Sequence, residues 1–529
     1  MAYIISCLIS LCGNYKMLTR CFFYLITFAL YSVQAFLTSC FQTKISPTIL
    51  VMIAETNTRE AGEFIDSYLL NSDNTPLYFK FLFIIIIIIL VEWLYRKYVK
   101  VFLMRKKITV SLLLLPVLIS SLYSFRLYDN LFETGSLDEF RLNVKQTIPQ
   151  DPITLSIKSF IMMHKSKYEL DLAVENTKNR MASTPFFPDS TKVVLVIGES
   201  YIKSHCQLYG YPLDTSPNFV KENNNGNLFF YTDVVTPFNS TSRVIKNMFS
   251  SNSIGDNEVW YNFVFIPAIF SSANFDVVFW DNQRDFDTNA EFSFSLNSYL
   301  YNPYFNSFYN HTNSKSYQFD GDFVDSFIAD NRMTDKQNTF AILHLQGQHI
   351  NASTRFPHTN EFNVFSPADI TRQDVYLNQE KKQHISDYDN ATLYNDWVMK
   401  KIFDFFRNDN AAIVYLSDHG DEMYDFRDQY GRTHNPIITD SCAKYEFESP
   451  FIIWCSDKYK SKHPDIIRNI RESINKPFMS DNLCHVLFYL AGIKTQHYIE
   501  RRNLLSPAYN CPPRIISDYT DYDKLMKRR

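Results

Sequence analysis

The sequence contains very little glycine, only 12 of its 529 residues, against 46 phenylalanines and 34 tyrosines. A collagen-like repeat needs glycine at every third position, and disordered chains are poor in aromatic residues, so both classes are excluded. A chain with so few glycines has few places where the backbone takes a positive φ freely. Each glycine that it keeps is therefore informative.

The chain also lacks an excess of charge of either sign, with 52 Lys and Arg against 56 Asp and Glu and a formal net charge of −4. This balance excludes a basic nucleic-acid coat protein, and we expect no nucleic-acid partner. The length allows roughly two to four domains and a substantial buried core.

Long apolar runs are present, and they lie near the N-terminus. The strongest run extends from Leu77 to Tyr95 and contains six consecutive isoleucines. Since about 20 apolar residues cross a bilayer, we predict a membrane helix there. Further candidates are Cys21 to Leu37, Ile108 to Tyr123 and, more weakly, Tyr3 to Cys12. The alternatives are core helices of a soluble protein, or a cleaved signal peptide, for which an early basic region and a small-residue cleavage site are missing.

The positions of the basic residues predict the orientation of these helices. Six Lys and Arg residues lie between Arg96 and Lys107, and the positive-inside rule places them in the cytoplasm. We therefore predict a transmembrane helical domain over 1–128, with an extracytoplasmic loop at 43–76 and a cytoplasmic loop at 96–107. Bridging helices would follow over 129–188, and an external catalytic domain over 189–529.

Five short apolar runs recur from Lys192 onward, each bounded by polar or glycine-containing turns: Val193 to Ile197, Phe275 to Trp280, Thr339 to Leu345, Ala411 to Leu416 and Phe451 to Trp454. This pattern is typical of buried parallel strands in an α/β sheet. In such sheets, ligands bind beyond the carboxyl ends of the strands. Candidate catalytic residues are therefore expected at those ends.

Three of the runs lead directly into side chains that can bind a metal or act as a nucleophile: Glu199 and Ser200, His344 with His349 five residues on, and Asp418 with His419. Carboxylates combined with imidazole suit Zn²⁺ or Mn²⁺. A hydroxyl beside such a metal loses its proton more easily and becomes a nucleophile. Each piece alone has an ordinary structural explanation, such as a serine that caps a helix. Together they indicate phosphoryl or sulfuryl transfer.

The motifs of this region resemble those of phosphoethanolamine transferases, inner-membrane enzymes of the alkaline phosphatase and sulfatase superfamily that decorate lipopolysaccharide. The resemblance covers about residues 45 to 500 and is carried by Gly198-Glu199-Ser200, Leu208 to Pro217, Asp281-Asn282-Gln283, Tyr388-Asp389-Asn390, Ser417 to Glu422 and Asp481-Asn482. The stretch from Leu208 to Pro212 looks closer to the branch that modifies the lipopolysaccharide core. The resemblance implies an α/β fold: membrane helices followed by a sulfatase-like sandwich with a largely parallel central sheet.

The resemblance also implies roles for particular residues. Glu199, Asp418 and His419 match zinc ligands, and Ser200 matches the nucleophile that also touches the metal. The lipid A branch typically has threonine at the nucleophile position. His349 matches a histidine that binds the substrate phosphate or acts as an acid or base.

Other positions match the family less closely. His434 lies near another active-site histidine of the family, although its spacing differs. Asn57 and Glu60 resemble a segment that holds the ethanolamine headgroup of the donor, and a solvated helix is the alternative there. Thr241, in a segment that the family places beside the catalytic pocket, is assigned no role.

The sequence thus predicts a monomeric, zinc-dependent phosphoethanolamine transferase of the bacterial inner membrane, with its catalytic domain in the periplasm. The donor would be phosphatidylethanolamine and the acceptor a lipopolysaccharide or other envelope glycan, with a covalent intermediate on Ser200. Three alternatives are a phosphoglycerol transferase of the lipoteichoic acid synthase type, a soluble-type sulfatase and a non-catalytic membrane sensor. The sulfatase alternative is disfavoured because Ser200 lacks the Pro-x-Arg pattern that this class needs after its nucleophile.

Overall fold

The structure, a computed structural model, describes most of the chain after residue 151 and parts of the region before it. The described ranges, besides isolated positions, are 15–41, 64–70, 75–98, 152–185, 190–254, 259–284, 296–330, 338–349, 351–432, 437–517 and 519–527. The chain divides into two compact units, Met1–Ser166 and Lys167–Arg529.

Fifteen α-helices lie in the described part of the chain. They are α1 Lys16–Phe41, α2 Thr75–Tyr98, α3 Pro152–Arg180, α4 Pro217–Asn224, α5 Thr241–Met248, α6 Ile266–Ser272, α7 Leu296–Leu300, α8 Pro303–Asn306, α9 Asp320–Ala329, α10 Gln379–Phe406, α11 Asp440–Cys442, α12 Asp457–Lys462, α13 Pro464–Ser473, α14 Leu483–Ala491 and α15 Tyr522–Met526.

Thirteen strands lie in the same part of the chain. They are β1 Ser183–Pro185, β2 Lys192–Gly198, β3 Leu228–Tyr231, β4 Val234–Val235, β5 Asp276–Asp281, β6 His311–Thr312, β7 Thr339–His344, β8 Ala411–Ser417, β9 Phe451–Cys455, β10 Phe478–Met479, β11 Ile493–Thr495, β12 Ile515–Ile516 and β13 Thr520–Asp521.

In the first unit, helices α1 and α2 coincide with two of the predicted membrane spans. Met17–Phe41 and Thr75–Leu94 are long and apolar enough to cross a membrane. Arg20, near the start of α1, pairs with Glu92 of α2 at 3.1 Å, so the charge within the apolar helix has a partner. The predicted spans Ile108 to Tyr123 and Tyr3 to Cys12 lie outside the described residues apart from isolated positions, as do most of the predicted loop 96–107 and the first part of the bridging region.

A seven-stranded sheet organises the second unit, in the order β3-β9-β8-β2-β7-β5-β6. The five strands from β8 to β6 run parallel to one another. Successive residues of β2 point to opposite faces: Val193, Leu195 and Ile197 join one apolar core, whereas Val194 and Val196 join the other. The prediction of an α/β fold with a largely parallel central sheet is confirmed.

The predicted run Phe451 to Trp454 does form a strand, β9, but the expectation that it is parallel to its neighbours is wrong. It pairs antiparallel with β8 and with β3. The chain leaves β8 at Ser417 and re-enters the sheet at Phe451. A parallel pair requires a crossover connection of a dozen or more residues, usually a long helix, and the described residues between the two strands contain only the short helix α11 and one further helical turn. The intervening residues instead build the carboxyl edge of the sheet.

Candidate metal centre

The centre of the site is formed where β2 and β8 end side by side. These strands are parallel neighbours, with Gly198 paired to Ser417, and the Asp418 N–H continues the ladder by donating to the Gly198 carbonyl at 3.1 Å. The next side chains, Glu199 and Asp418, therefore emerge at the same edge of the sheet. His419 follows directly, and all three side chains are fully buried.

Glu199, Asp418 and His419 form a compact set of possible metal ligands. One donor atom from each residue lies within 4.8 Å of the others. His419 Nε2 is 2.9 Å from Asp418 Oδ2 and 3.4 Å from Glu199 Oε1. The structure thus brings together the three residues that the sequence predicts as metal ligands.

The protonation of this set fits a divalent cation. His419 Nδ1 lies 2.7 Å from the Gly420 carbonyl, so we assign the ring proton to Nδ1 and a lone pair to Nε2. Burial, together with the nearby Arg432 guanidinium, lowers the pKa of His419 to about 3, which keeps the ring neutral. Asp418 Oδ2 is buried without a hydrogen-bond partner among the described residues. The Nε2 lone pair of the neutral His419 ring therefore faces the lone pairs of Asp418 Oδ2. Such a pair of donor atoms suits Zn²⁺.

Two hydroxyl groups adjoin the set, and one of them belongs to Thr241. This residue begins α5, and its Oγ1 lies 3.2 Å from Glu199 Oε2 and 3.2 Å from His419 Nε2. Both atoms can accept its proton. Thr241 is half-buried, whereas Glu199, Asp418 and His419 are fully buried.

The second hydroxyl belongs to Ser200, which is fully buried and donates to Glu199 Oε1 at 2.7 Å. Its backbone has φ of +57°, a conformation that costs a non-glycine residue free energy. The Tyr388 hydroxyl holds this turn, because it accepts from the Ile202 N–H and donates to the Ser200 carbonyl, both at 2.6 Å. Tyr388 belongs to one of the motifs that carry the family resemblance.

Two further residues position Glu199. The Gln283 side chain donates to Glu199 Oε2 at 3.2 Å and to the Leu345 carbonyl at 2.7 Å. Gly347 has φ of +51°, and a Cβ there would lie 2.6 Å from the Glu199 carbonyl oxygen and 2.7 Å from its nitrogen. Only glycine can therefore occupy this position without moving the Glu199 backbone.

The two histidines that follow β7 lie in different environments. His344 is buried, with Nδ1 2.9 Å from Asp281 Oδ1. Burial disfavours its charged form, but Asp281 outweighs that effect and raises the pKa of His344. His349 is half-buried, and burial together with Arg355 lowers its pKa to about 3. The charges of Glu199, Arg432 and His419 also affect the pKa of His349.

The sequence model of the sulfatase family matches residues 191–493, which include every residue of this centre and the whole carboxyl edge of the sheet. The chain belongs to the sulfatase family.

Several relatives of this chain are named phosphoethanolamine transferases. Phosphoethanolamine transferase EptC of Escherichia coli K12 is 25% identical over 344 residues, covering 63% of this chain and 57% of that protein. The crystal structure of the C-terminal periplasmic domain of Escherichia coli EptC has a TM-score of 0.55 at 25% identity, covering 64% of this chain and 94% of that one, and a zinc complex of that domain has a TM-score of 0.54. This sulfatase-family chain spans just over half the length of the curated EptC that it matches.

A likeness in fold extends beyond the catalytic domain. Integral membrane EptA of Neisseria meningitidis has a TM-score of 0.59 at 17% identity, covering 90% of this chain and 85% of that one. That coverage is larger than the part of this sulfatase-family chain that the family model matches.

Sequence reasoning left some residues of the centre without a role. The sequence assigns no role to Thr241 and contains Gln283 only as part of a motif. It gives no signal for Arg432. The pattern Asn239-Ser240-Thr241 before a helix could have signalled a helix N-terminus aimed at an anion. Of the other predicted site residues, His434, Asn57 and Glu60 lie outside the described residues.

Proposed function

We propose that this protein is a phosphoethanolamine transferase of the bacterial inner membrane, acting on envelope glycans from the periplasmic side. The observation that carries the proposal is the hydroxyl of the half-buried Thr241, placed 3.2 Å from both Glu199 and His419 beside Asp418. Relatives that match the catalytic unit are named phosphoethanolamine transferases, which supports the transferred group. The apolar helices α1 and α2 support the location, since each is long and apolar enough to cross a membrane.

Glu199, Asp418 and His419 would hold the metal, for which we propose Zn²⁺. When bound, such an ion supplies positive charge that favours the ionised form of a neighbouring hydroxyl and offsets charge on phosphoryl oxygens. The buried carboxylates and the neutral His419 ring support this assignment. The zinc complex of the EptC domain is a further support.

We assign the covalent step to Thr241 in preference to Ser200, the nucleophile predicted from the sequence. A nucleophile must reach the substrate phosphorus, and Thr241 is half-buried whereas Ser200 is fully buried. Thr241 also begins helix α5, and a helix N-terminus favours the negative charge that develops there. Ser200 instead directs its hydroxyl to Glu199, a role in orienting that ligand. The Ser200 assignment remains a prediction that the experiment below tests.

The proposed reaction has two displacements at phosphorus. In the first, a bond forms between Thr241 Oγ1 and the phosphorus of phosphatidylethanolamine while the bond from phosphorus to the diacylglycerol oxygen breaks. The hydroxyl proton passes toward Glu199 Oε2, its acceptor at 3.2 Å, and the leaving diacylglycerol takes up a proton. In the second, an acceptor hydroxyl attacks phosphorus and passes its proton to Glu199 Oε2, the bond from phosphorus to Thr241 breaks, and Thr241 Oγ1 takes up that proton. The neutral His349 ring can donate a hydrogen bond to a phosphoryl oxygen in both steps.

The experiment is to trap the covalent adduct. The purified full-length protein is mixed with vesicles containing phosphatidylethanolamine but no acceptor, and the adduct is located by peptide mass spectrometry. We expect phosphoethanolamine on Thr241, none in Thr241→Ala, and slower formation in Ser200→Ala because Glu199 loses a hydrogen bond. Ser242→Ala, the next hydroxyl on the same helix, serves as the matched control.

Three outcomes would overturn these assignments. An adduct on Ser200, or one that persists in Thr241→Ala, would return the nucleophile to the sequence prediction. A glycerol-containing adduct from phosphatidylglycerol, with none from phosphatidylethanolamine, would replace the proposed donor. Absence of any adduct, together with no change in the envelope glycans of a deletion strain, would refute transferase activity.

A further inference from the structure

A half-buried arginine, Arg432, lies at the metal centre without belonging to the predicted ligand set. Its Nη1 contacts His419 Nε2 and donates to the Asn239 carbonyl at 3.0 Å. Asn239 lies two residues before Thr241, so the Arg432 guanidinium connects the ligand set to the segment that carries the Thr241 hydroxyl. Four carboxylates interact electrostatically with the Arg432 charge, those of Asp421, Glu199, Asp418 and Glu446.

A short hairpin after β8 delivers Arg432 to this position. Met423 and Tyr430 form an antiparallel bridge, and the Gly431 N–H donates to the Glu422 carbonyl at 2.8 Å. The chain is thereby turned back toward the strand end from which it came, and Arg432 is the next residue. This hairpin therefore determines the position of Arg432.

The hairpin is anchored by a second, separate arginine. Arg427 donates from Nε to Glu422 at 2.8 Å and lies 3.4 Å from Glu446. Glu446 also accepts from the Asn239 side chain at 2.7 Å, so the hairpin is tied to the same segment that Arg432 contacts. Because Arg427 already provides this anchor, the position of the hairpin does not depend on the Arg432 charge.

Charge balance indicates what Arg432 does. Of the four carboxylates that act on Arg432, Glu446 is paired with Arg427, while those of Glu199, Asp418 and Asp421 bring three negative charges when ionised, and a divalent cation would balance two of them. A phosphodiester brings one further negative charge. Without Arg432, a metal-loaded centre would therefore repel the substrate, whereas with Arg432 it is neutral.

The contact with His419 adds a second constraint. A metal ion and the guanidinium both require the Nε2 lone pair of His419, so the two contacts exclude each other. Metal binding therefore releases guanidinium N–H donors beside Thr241, while the Asn239 carbonyl remains as a tether. A planar fork of N–H donors is the group that proteins use to bind phosphoryl oxygens.

We propose that Arg432 binds the phosphoryl group of the substrate and competes with the metal for His419. This inference rests on the proposed function for the identity of the substrate. The inference predicts opposite effects on two affinities. Loss of Arg432 should weaken the binding of phosphate compounds, while zinc should bind at least as tightly as before. A purely structural role would weaken both.

The test uses full-length protein in detergent and the variants Arg432→Gln and Arg432→Lys. Affinity for O-phosphoethanolamine is measured by calorimetry on zinc-loaded protein, and zinc affinity by competition with a chelator. A charge-assisted hydrogen bond contributes about 1.5–3 kcal/mol, so we expect roughly 10- to 150-fold weaker O-phosphoethanolamine binding in Arg432→Gln. Arg432→Lys should recover part of the loss, because it restores the charge but not the fork.

Arg514→Gln is the matched control, since Arg514 is likewise an arginine held by carboxylates, but its two partners, Asp233 and Asp523, are not residues of the centre. We expect it to change neither affinity. Weaker zinc binding in Arg432→Gln, or unchanged O-phosphoethanolamine binding, would overturn the inference even if the wild-type protein transfers phosphoethanolamine. If the wild-type protein transfers nothing, the proposed function fails, and inorganic phosphate binding by the same variants still decides the role of Arg432.

Discussion

Replacement of His205 by asparagine should remove a buried cation that links two parts of the site. His205 Nδ1 lies 2.7 Å from Asp389 on α10, and Nε2 lies 3.0 Å from Asp425 in the hairpin that leads to Arg432. Asp389 follows Tyr388, whose hydroxyl holds the Ser200 turn. The imidazolium therefore ties the turn to the hairpin.

The size and the sign of the effect follow from the pKa of His205. Burial alone would lower this pKa, but Asp425 and Asp389 outweigh it and raise the value to about 10 from 6.5. At about 1.36 kcal/mol per unit, the protonated ring contributes up to roughly 5 kcal/mol to folding. Because the folded pKa is the higher one, this contribution is fully present below about pH 6.5 and is lost as the pH rises through about 10. The carboxylates are themselves held, Asp389 by Tyr211 at 2.8 Å and Asp425 by Arg372 at 3.4 Å.

Thermal unfolding of the full-length protein, followed by tryptophan fluorescence between pH 6 and pH 10.5, provides the assay. The wild type should be much more stable than His205→Asn near pH 6, and the two should converge near pH 10. His497→Asn is the control of opposite sign, because burial lowers the pKa of His497 and its charged form is the disfavoured one. A difference between wild type and His205→Asn that does not change with pH would refute the reasoning.

Three further predictions concern the metal centre, each measured by zinc affinity and thermal stability. Gly347→Ala should abolish tight zinc binding, because the added Cβ would clash with the backbone of the ligand Glu199. Gly226 also has a positive φ, +74°, but has open space around it, so Gly226→Ala should cost only about 1 kcal/mol of stability. Equal effects of the two substitutions on zinc affinity would contradict this prediction. Tyr388→Phe should weaken zinc binding roughly 10-fold or more, while Tyr459→Phe, which removes a buried hydroxyl bonded to the Leu490 carbonyl, should lower stability alone. Removal of zinc by a chelator should lower the unfolding temperature of the wild-type protein and leave that of Asp418→Asn unchanged. If the free zinc concentration was 100 times the Kd before chelation, the loss corresponds to about 2.7 kcal/mol of stability. A wild-type protein whose unfolding temperature does not respond to the chelator would contradict the assignment of a metal centre.

The strands could be predicted because buried parallel strands are continuous apolar runs, and β2, β5, β7 and β8 all have this form. The direction of β9 could not be predicted in the same way. An apolar run buried on both faces has the same composition whichever way it runs, and direction depends on where the preceding chain re-enters the sheet. The short edge strand β6 has only two residues and leaves no periodic pattern.

In the site, the residues that directly follow strands could be predicted, since strand ends are fixed by the sheet. Glu199, Asp418 and His419 are of this kind. Thr241 and Arg432 reach the centre through a helix start and a hairpin, elements whose placement depends on tertiary packing. Their side chains are common surface types, so composition alone does not distinguish them.

The order of events in folding follows from the separation of the ligands along the chain. Glu199 is followed by Ser200, whose backbone N–H donates to the carboxylate of the ligand Asp418 across 218 positions of the chain. Closing so large a loop has an entropic cost that only the completed sheet can offset, so the ligands meet late. A metal ion therefore cannot nucleate this fold as it does in a zinc finger. Added zinc should slow unfolding without accelerating refolding, and the metal will be acquired by a chain that has already folded.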